Sequence, residues 1–255
     1  MHTASLAIEK HLNKTVDSIE GKPDFKDVWA SIGHDDIAVL AIENSYMGSI
    51  HPNLHGFLKY DCKIVGEYNM PINHCISSKE KDIKDITKAY SQMPALEQCH
   101  KYLKNKGIEP IVYSDTALSA KHVAETEDAG KAAVCSELAA EIYGLNILDT
   151  NIQDQDENTT RFAIICHKDL DLDYSIKKDK MSISFEVRHM PSSLYQSLKC
   201  FADNNINLTK LESLPSYKMK GTFTFWLDLD GKPTDEAVTK ALKDLKDHTT
   251  NLRII

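Results

Sequence analysis

The chain has 255 residues, which is enough for one large domain or two of ordinary size. Its hydrophobic fraction of 42% and charged fraction of 27% are typical of a globular protein with well-packed cores. The formal net charge of −8 argues against nucleic acid or an anionic membrane surface as the partner.

The cysteine pattern and the lack of export signals indicate the cellular compartment in which the protein is expected. The cysteines form no CxxC pair and no zinc-ligand spacing, and most lie in apolar or helical contexts. Reduced cysteine in such places behaves as a small hydrophobic residue, as it does in a reducing cytoplasm. The sequence shows no secretory h-region and no apolar run of membrane-spanning length. We therefore expect a cytoplasmic protein. The cysteines are Cys62, Cys75, Cys99, Cys135, Cys166 and Cys200.

A polar segment follows the first predicted strand. Helices are predicted at residues 3–13 and 25–32, and residues 36–42 form a continuous apolar run suited to a strand covered on both faces. Residues 43–49 come at its carboxyl end, where open α/β sheets bind ligands. Their carboxylate, amide and small hydroxyls suit a polar ligand, and an ordinary helix cap remains the alternative interpretation.

The middle of the chain alternates between short strands and helices. Asp115 and Thr116 are predicted to cap one helix, and Gly144 to follow the end of another. This alternation favours a three-layer α/β arrangement with largely parallel strands. The predicted strands are 63–68, 72–77, 86–91, 110–114 and 131–135, and the predicted helices are 95–104, 116–124 and 136–143. Three histidines in these elements are interpreted as structural: His74, His100 and His122.

A threonine and an arginine stand at the start of another predicted strand. Residues 158–162 precede the apolar run 163–166, which has the length and β-branched content of a buried strand. Arg161 is one of three arginines in the chain, and its planar guanidinium suits two-point capture of a carboxylate. The hydroxyl of Thr160 beside it can both donate and accept. An ion-paired arginine at a strand start is the alternative interpretation.

The last third of the chain follows a predicted linker. Residues 168–180 are polar and carry no periodicity, which predicts a domain boundary. The elements predicted beyond it follow the order βαββαβ, which is a ferredoxin-like unit. They are strands at 181–187, 206–214, 223–230 and 251–255 and helices at 192–203 and 234–246.

A series of motifs in this chain resembles those of the prephenate dehydratase family. The motifs occur in the family's order and extend from about residue 2 to residue 255. They are AIENSYMGS at 41–49, IVGE at 64–67, INHC at 72–75, YS at 90–91, QC at 98–99, DTA at 115–117, YGL at 143–145, TRF at 160–162 and NINLTKLESLP at 205–215. The last of them resembles a stretch of the family's regulatory ACT domain.

The resemblance implies an α/β fold with two functional parts. Residues 1–167 are expected to form a catalytic domain of two subdomains, similar to periplasmic binding proteins. Residues 168–180 would be a linker, and residues 181–255 a ferredoxin-like ACT domain. The family's opening strand and glycine turn have no counterpart ahead of His2, so the catalytic domain is expected without its first strand.

The resemblance also implies a carbon–oxygen lyase that converts prephenate to phenylpyruvate in phenylalanine biosynthesis, with no cofactor and no metal. Arg161 would hold a substrate carboxylate, and Thr160 would donate a hydrogen bond or proton to the departing hydroxyl. Glu43 is expected to orient Asn44 or Arg161. The other implied catalytic residues are the neutral donors Asn44, Ser91 and Gln98. The implied substrate-binding residues are Glu43, Ser45, Thr116 and Phe162.

The resemblance further implies control by phenylalanine in a homodimer or homotetramer. Ser192 stands where the family's ACT domain has a glycine, and Leu214 where it has an arginine, so inhibition is expected to be weaker than in relatives with the full motif. The residues implied to bind phenylalanine are Ser193, Leu194, Asn207, Leu208, Glu212 and Ser213.

Two functions from other classes remain open at this point. One is a protein that binds a small carboxylate without transforming it, as periplasmic binding proteins do. The other is an amino-acid sensor whose catalytic half has decayed. The Thr160–Arg161 pair and the lack of a signal sequence favour the enzyme over both.

Overall fold

The computed structural model describes residues 7–8, 18–155, 157–172, 179–215 and 223–255. Most of the helix predicted at 3–13 therefore lies outside the described residues, as does part of the predicted linker. Ala7 and Ile8 are described, and both are helical and buried.

The elements are numbered here in chain order. The α-helices are α1 Phe25–Ser31, α2 His51–Lys59, α3 Met93–Gln98, α4 His100–Lys106, α5 Thr116–Glu125, α6 Glu137–Ile142, α7 Ser193–Ala202 and α8 Glu236–His248, with a 3-10 helix at Ile83–Asp85. The strands are β1 Ile37–Asn44, β2 Gly48–Ser49, β3 Cys62–Pro71, β4 Cys75–Ser78, β5 Lys88–Ser91, β6 Glu109–Val112, β7 Lys131–Cys135, β8 Asn146–Asp149, β9 Thr159–His167, β10 Lys180–Val187, β11 Leu208–Pro215, β12 Phe223–Asp230 and β13 Thr249–Ile254.

The chain forms two compact units that do not follow chain order. Unit 1 consists of Met1–Glu43, Ser49–Asn69 and Arg161–Ile255, and unit 2 consists of Asn44–Gly48 and Met70–Thr160. The C-terminal residues thus belong to the same unit as the first strands. The domain boundaries at 167 and 181 stay a prediction.

Unit 1 contains two four-stranded sheets. The first has the order β2-β1-β9-β3 and the second, which we call the C-terminal sheet, has the order β11-β12-β10-β13. In the C-terminal sheet β12 pairs antiparallel with β10 and β11, and β10 pairs antiparallel with β13. Its elements have the predicted order βαββαβ.

The two faces of the C-terminal sheet have different partners because side chains alternate along a strand. Met181, Ile183 and Phe185 of β10 lie in a core with residues of α7 and α8. From the opposite face, Leu214 and Trp226 enter a second hydrophobic cluster. That cluster also contains buried residues of α1, α2 and the first sheet, including Trp29, Leu40, Leu54, Phe57 and Ile165.

Unit 2 contains a mixed five-stranded sheet in the order β6-β5-β7-β4-β8. Strand β5 is parallel to β6 and β7, whereas β4 is antiparallel to β7 and β8. The prediction of largely parallel strands was therefore wrong for β4. Strand β4 pairs with β7 and β8, which lie more than 50 residues later in the chain, so its direction depends on partners that the local alternation of strands and helices does not specify.

Local helix signals in unit 2 were predicted well. Asp115 accepts a hydrogen bond from the Leu118 amide at 2.7 Å and caps α5, as its short polar side chain indicates. Gly144 has a φ of 66°, the left-handed geometry expected after a helix end. The single helix predicted at 95–104 is instead two helices, with a break at Cys99.

Candidate active site

The site in unit 2 begins with Asn44 at the end of β1. Its side-chain oxygen accepts hydrogen bonds from the backbone amides of Tyr46 at 3.0 Å and Met47 at 2.9 Å. Backbone amides only donate, so these two bonds identify the side-chain oxygen and place the amide nitrogen on the other side.

That nitrogen determines how Thr160 can act. Asn44 Nδ2 donates to Thr160 Oγ1 at 3.0 Å and to Asn158 Oδ1 at 2.9 Å. Thr160 is 9% exposed. Because its hydroxyl oxygen already accepts from an amide, its own hydrogen must point elsewhere and can be donated. The neighbouring amide therefore prepares this hydroxyl as a donor.

The hydrogen bonds continue from Asn158 to a histidine. Asn158 Nδ2 donates to Gln98 Oε1 at 2.8 Å, and His74 Nε2 lies 2.9 Å from the same oxygen. An amide oxygen only accepts, so Nε2 of His74 carries the hydrogen. Burial lowers the pKa of His74 and outweighs the opposing effect of the Gln98 hydrogen bond, which favours the neutral ring near neutral pH. We call these five residues the amide relay: His74, Gln98, Asn158, Asn44 and Thr160.

A small cavity adjoins the amide relay. Its volume is about 170 Å³, and Gln98 and Asn158 of the relay lie in its wall. The other lining residues are mostly polar: Tyr46, Glu97, Lys101, Gln153, Asp154 and Gln155. The relay thus presents amide groups to a space that is open to a polar ligand.

The other predicted site residues that lie in unit 2 have different hydrogen-bond partners. Ser45 joins its segment to β9, because its hydroxyl accepts from the Thr159 amide at 2.9 Å and donates to the Glu157 carbonyl at 3.2 Å. The hydroxyl of Ser91 is fully buried and donates to the Val134 carbonyl at 2.7 Å. Thr116 is the first residue of α5. The catalytic and substrate-binding roles of these residues stay predictions.

Arg161 lies in unit 1 and is held by carboxylates. Its Nε and Nη2 form a two-point pair with Glu67 of β3, at 2.9 and 2.5 Å. Its Nη1 donates to Asp228 of β12 at 2.6 Å and to Glu43 of β1 at 3.3 Å. These bonds and charges raise the pKa of Arg161 despite the opposing effect of its burial. Capture of a substrate carboxylate by Arg161 stays a prediction. In this structure the carboxylate bound at Nε and Nη2 of the guanidinium is that of Glu67.

Two lysines complete what we call the ion network. Lys210 Nζ lies 3.0 Å from Glu43, and Lys180 Nζ lies 3.6 Å from Asp228 and 3.8 Å from Glu67. Among the residues that the structure describes, three cations thus balance the three carboxylates. Glu43 contacts Arg161, and its expected role in orienting Asn44 or Arg161 stays a prediction. Phe162, the next residue of β9, is half-buried.

The residues predicted to bind phenylalanine do not all line one cavity of this chain. Ser193 and Leu194 lie in the wall of a cavity of about 410 Å³, with Tyr195, Phe223 and Phe225. Glu212 lies on the opposite face of the C-terminal sheet, where it contacts Ser49 and His51. Of the other predicted residues, Leu208 packs against the core beneath α7 and α8, Asn207 donates to Asp230 at 2.7 Å, and Ser213 pairs with Phe225 in the ladder.

The backbone at Ser192 explains why a glycine suits this position. Ser192 precedes α7 with a φ of 67°, in the left-handed region that disfavours a side chain by about 1–2 kcal/mol. Ser193 holds the turn, because its hydroxyl lies 2.5 Å from the carbonyl oxygens of Arg188 and Met190. The turn is therefore formed here without the glycine.

Two groups relevant to the site were missed by sequence reasoning. Asn158 belongs to the stretch 158–162 but had no assigned role, and His74 was interpreted as structural. Of the partners of Arg161, Glu67 lies in the motif at 64–67 but was assigned no role, and Asp228 had no signal beyond being acidic. A separate group in unit 1 could hold a metal ion, since ligand atoms of His34, His167 and Asp169 lie within 4.8 Å of one another.

The comparisons with known proteins agree on one family. The prephenate dehydratase family matches residues 4–170. The chain belongs to that family. Within the described part of the chain, no helix has the length and apolar character needed to cross a membrane.

Relatives of known name support the assignment. The chain is 37% identical to a prephenate dehydratase of Methanocaldococcus jannaschii, over 97% of this chain and 92% of that protein. It is 40% identical to a bifunctional chorismate mutase/prephenate dehydratase of Aquifex aeolicus, over 86% of this chain. The match spans 60% of the length of the Aquifex protein.

Solved structures also match over most of the chain. A structure described as GqqA, a quorum quenching acylase, has a TM-score of 0.83 at 28% identity and covers 99% of this chain and 92% of that one. The prephenate dehydratase of Arthrobacter aurescens in complex with L-Phe has a TM-score of 0.78 at 27% identity and covers 90% and 76%. These matches confirm the mixed α/β fold.

Proposed function

We propose that this chain catalyses the decarboxylative dehydration of prephenate to phenylpyruvate in the synthesis of phenylalanine. The family membership gives the reaction class. The observation that carries the proposal is the bond from Asn44 Nδ2 to Thr160 Oγ1, which leaves the threonine hydrogen available for donation.

In the proposed reaction, the bond between the ring and its carboxylate breaks and CO₂ departs. The electron pair completes the aromatic ring and expels the ring hydroxyl on the opposite carbon, which leaves with its own electrons and becomes water on protonation. Aromatisation supplies the driving force, so the enzyme has to orient the dianion and assist the departing hydroxyl. The proposal requires no cofactor and no metal.

Thr160 assists that departure by donating its hydrogen to the leaving oxygen. An alcohol is a weak acid, so a hydrogen bond that strengthens as charge develops contributes more than full proton transfer. Asn44, Asn158 and Gln98 are neutral donors with fixed orientations, and fixed dipoles need little rearrangement when the charge moves. In this proposal the relay supplies orientation, and Thr160 supplies the contact to the reacting atoms.

The structural match to an acylase gives an alternative that the geometry does not favour. Acyl transfer by a hydroxyl nucleophile needs a base within hydrogen-bond reach. Here the group bonded to Thr160 Oγ1 is the Asn44 amide, which cannot take up a proton. The ring of His74 is bonded to Gln98 instead.

The purified chain should convert prephenate to phenylpyruvate, which is followed by its absorbance. Thr160→Ala is the matched inactive variant and Thr160→Ser the variant that keeps a hydroxyl. A chain that binds prephenate without producing phenylpyruvate would contradict the enzyme and favour a carboxylate-binding protein. A chain that neither binds nor converts prephenate but binds phenylalanine would favour the sensor.

We further propose that residues 181–255 form an ACT domain that binds phenylalanine in a homodimer or larger assembly, and that the catalytic part has the two-subdomain, periplasmic-binding-protein-like fold. The proposal is supported by the order βαββαβ, by the cavity beside Ser193 and Leu194, and by the L-Phe complex of the Arthrobacter relative. Inhibition requires that phenylalanine bind the less active state more tightly.

Calorimetric titration of the full chain with phenylalanine tests the regulatory site. Leu194→Ala should weaken binding at least fivefold, because Leu194 lines the cavity. The matched control is Leu118→Ala, at an exposed leucine of α5 in unit 2. No binding to the wild type, or equal affinity in the Leu194 variant, would contradict the assignment, and sedimentation of the same samples gives the oligomeric state.

A further inference from the structure

A carboxylate of the C-terminal sheet holds the arginine of the TRF motif. Asp228 lies on β12, is 0% exposed, and accepts from Arg161 Nη1 at 2.6 Å. Its other oxygen accepts from the Ser182 hydroxyl at 2.7 Å and from the Trp226 indole at 2.9 Å. The C-terminal sheet thus fixes the direction in which this carboxylate points, and Arg161 lies in that direction.

The arginine has little capacity left for a substrate. A guanidinium has five N–H donors, and the bonds from Nε, Nη1 and Nη2 to Glu67, Asp228 and Glu43 use four of them. Its side chain is 10% exposed. Two-point capture of a substrate carboxylate by the same edge of the guanidinium would require Arg161 to give up its two-point pair with Glu67.

The position of Arg161 in the chain gives these contacts a consequence for catalysis. Arg161 is joined by a peptide bond to Thr160, and consecutive residues of a strand point to opposite faces. Carboxylates from β1, β3 and β12 therefore hold the side chain of the residue that directly follows the proposed donor.

We propose that Asp228 is a positioning residue for the proposed dehydratase reaction, acting through Arg161 to fix the backbone from which the Thr160 hydroxyl projects. In this role Arg161 anchors the start of β9 and does not bind the substrate. The C-terminal sheet is then required for catalysis as well as for regulation. The inference rests on the proposed function, in which Thr160 is the catalytic donor.

A double-mutant cycle on prephenate turnover tests the role. Asp228→Asn keeps the shape of the side chain and removes its charge. We expect kcat to fall at least tenfold while KM stays within threefold, because substrate contacts are unchanged. In an Arg161→Lys background, adding Asp228→Asn should change kcat less than twofold, since Asp228 acts through Arg161. Asp230→Asn, on the same strand and exposed, is the charge-matched control.

A kcat of Asp228→Asn within twofold of wild type would overturn the proposal. So would a double variant in which the separate effects of Asp228→Asn and Arg161→Lys on kcat multiply, because the two residues would then act independently. Ser182→Ala is a milder variant for the case in which Asp228→Asn does not fold. It removes one bond that orients Asp228 and should lower kcat two- to fivefold in the wild type but not in the Arg161→Lys background. An equal effect in both backgrounds would overturn the proposal.

A measurement without turnover separates this proposal from the proposed function. The NMR signal of the Thr160 amide should shift in Asp228→Asn and stay unchanged in Asp230→Asn. If the wild type does not convert prephenate, the dehydratase assignment fails, and the spectrum alone decides whether Asp228 positions Thr160. An unshifted Thr160 signal in Asp228→Asn overturns the positioning role.

Discussion

Two consecutive residues of β9 are held by opposite kinds of chemistry. Thr160 belongs to a relay of neutral amides and a neutral imidazole, whereas Arg161 belongs to a network of full charges. Amides have a donor end and an acceptor end, so a chain of them fixes the direction of a hydrogen. Ion pairs fix the position of a group but specify direction less well. Along β9, a residue with an oriented hydroxyl is therefore followed directly by a residue with an anchored side chain.

Thr160→Ala removes the hydroxyl hydrogen that the amide relay orients. This substitution should have the largest effect on turnover. We expect kcat to fall at least 100-fold, corresponding to about 2.7 kcal/mol or more, with KM within threefold, as when a transition-state contact is lost. Steady-state kinetics on prephenate measure this, and Thr160→Ser should keep at least a tenth of the wild-type turnover. Near-wild-type turnover of the alanine variant would remove Thr160 from the mechanism.

Arg161→Lys tests the charged side. A lysine keeps the charge but cannot reproduce the two-point pair with Glu67 and also reach Asp228. We expect kcat/KM to fall at least tenfold, with a lower midpoint of thermal unfolding. If kcat and KM both change less than threefold, which corresponds to under about 1 kcal/mol each, the two-point pair of Arg161 with Glu67 is not needed for turnover.

Asn158→Asp places a charge inside the neutral relay. An aspartate oxygen would replace the amide nitrogen that faces Gln98 Oε1, and two acceptors would then meet. We expect kcat to fall about tenfold, equivalent to about 1.4 kcal/mol. Asn105→Asp, at an exposed position of α4, is the control. Equal turnover of the two variants would show that relay polarity does not matter.

The stabilising effects of the amide relay and of the ion network should also be lost in different pH ranges. His74 has a lowered pKa, so the unfolded chain binds a proton first as pH falls below about 6.5, and this reduces the free energy of unfolding. Asp228 also has a lowered pKa: burial opposes this shift, but the Arg161 charge and the Ser182 hydrogen bond outweigh it. Its stabilising effect is therefore present above about pH 4 and is lost below it.

Chemical denaturation across pH measures both effects. His74→Gln should flatten the decline between pH 7 and 5, and Asp228→Asn the decline below pH 4. A decline between pH 7 and 5 that is as steep in His74→Gln as in the wild type would show that another group titrates there.

The sequence predicted features that depend on neighbours along the chain. The cap of α5 was predicted from Asp115 and Thr116, and the Asp115 side chain accepts from an amide three residues later. Asn44 and Thr160 were both assigned to the site. The antiparallel direction of β4 could not be predicted in this way, because its partners β7 and β8 are distant in the chain. The same holds for the partners of Arg161, since Asp228 and Glu67 are 67 and 94 residues away from it.

The hydrogen-bond partner of His74 could not be predicted from its residue type. A histidine in an apolar strand context is usually structural, and the sequence offered no sign of its bond to Gln98, 24 residues later. Its place in the relay became clear only from the orientation of Asn44, which two backbone amides determine.

The hydrophobic cluster that joins Leu214, Trp226 and Ile255 to the first sheet limits how this protein can be shortened. Its fully buried members include Phe57, Ile64 and Trp226. Loss of one such aromatic side chain alone costs about 3–5 kcal/mol, which is a large part of the stability of an ordinary domain. A gene that ended before β10 would therefore encode a chain with an exposed core, so in this protein the C-terminal part cannot be exchanged as an independent module.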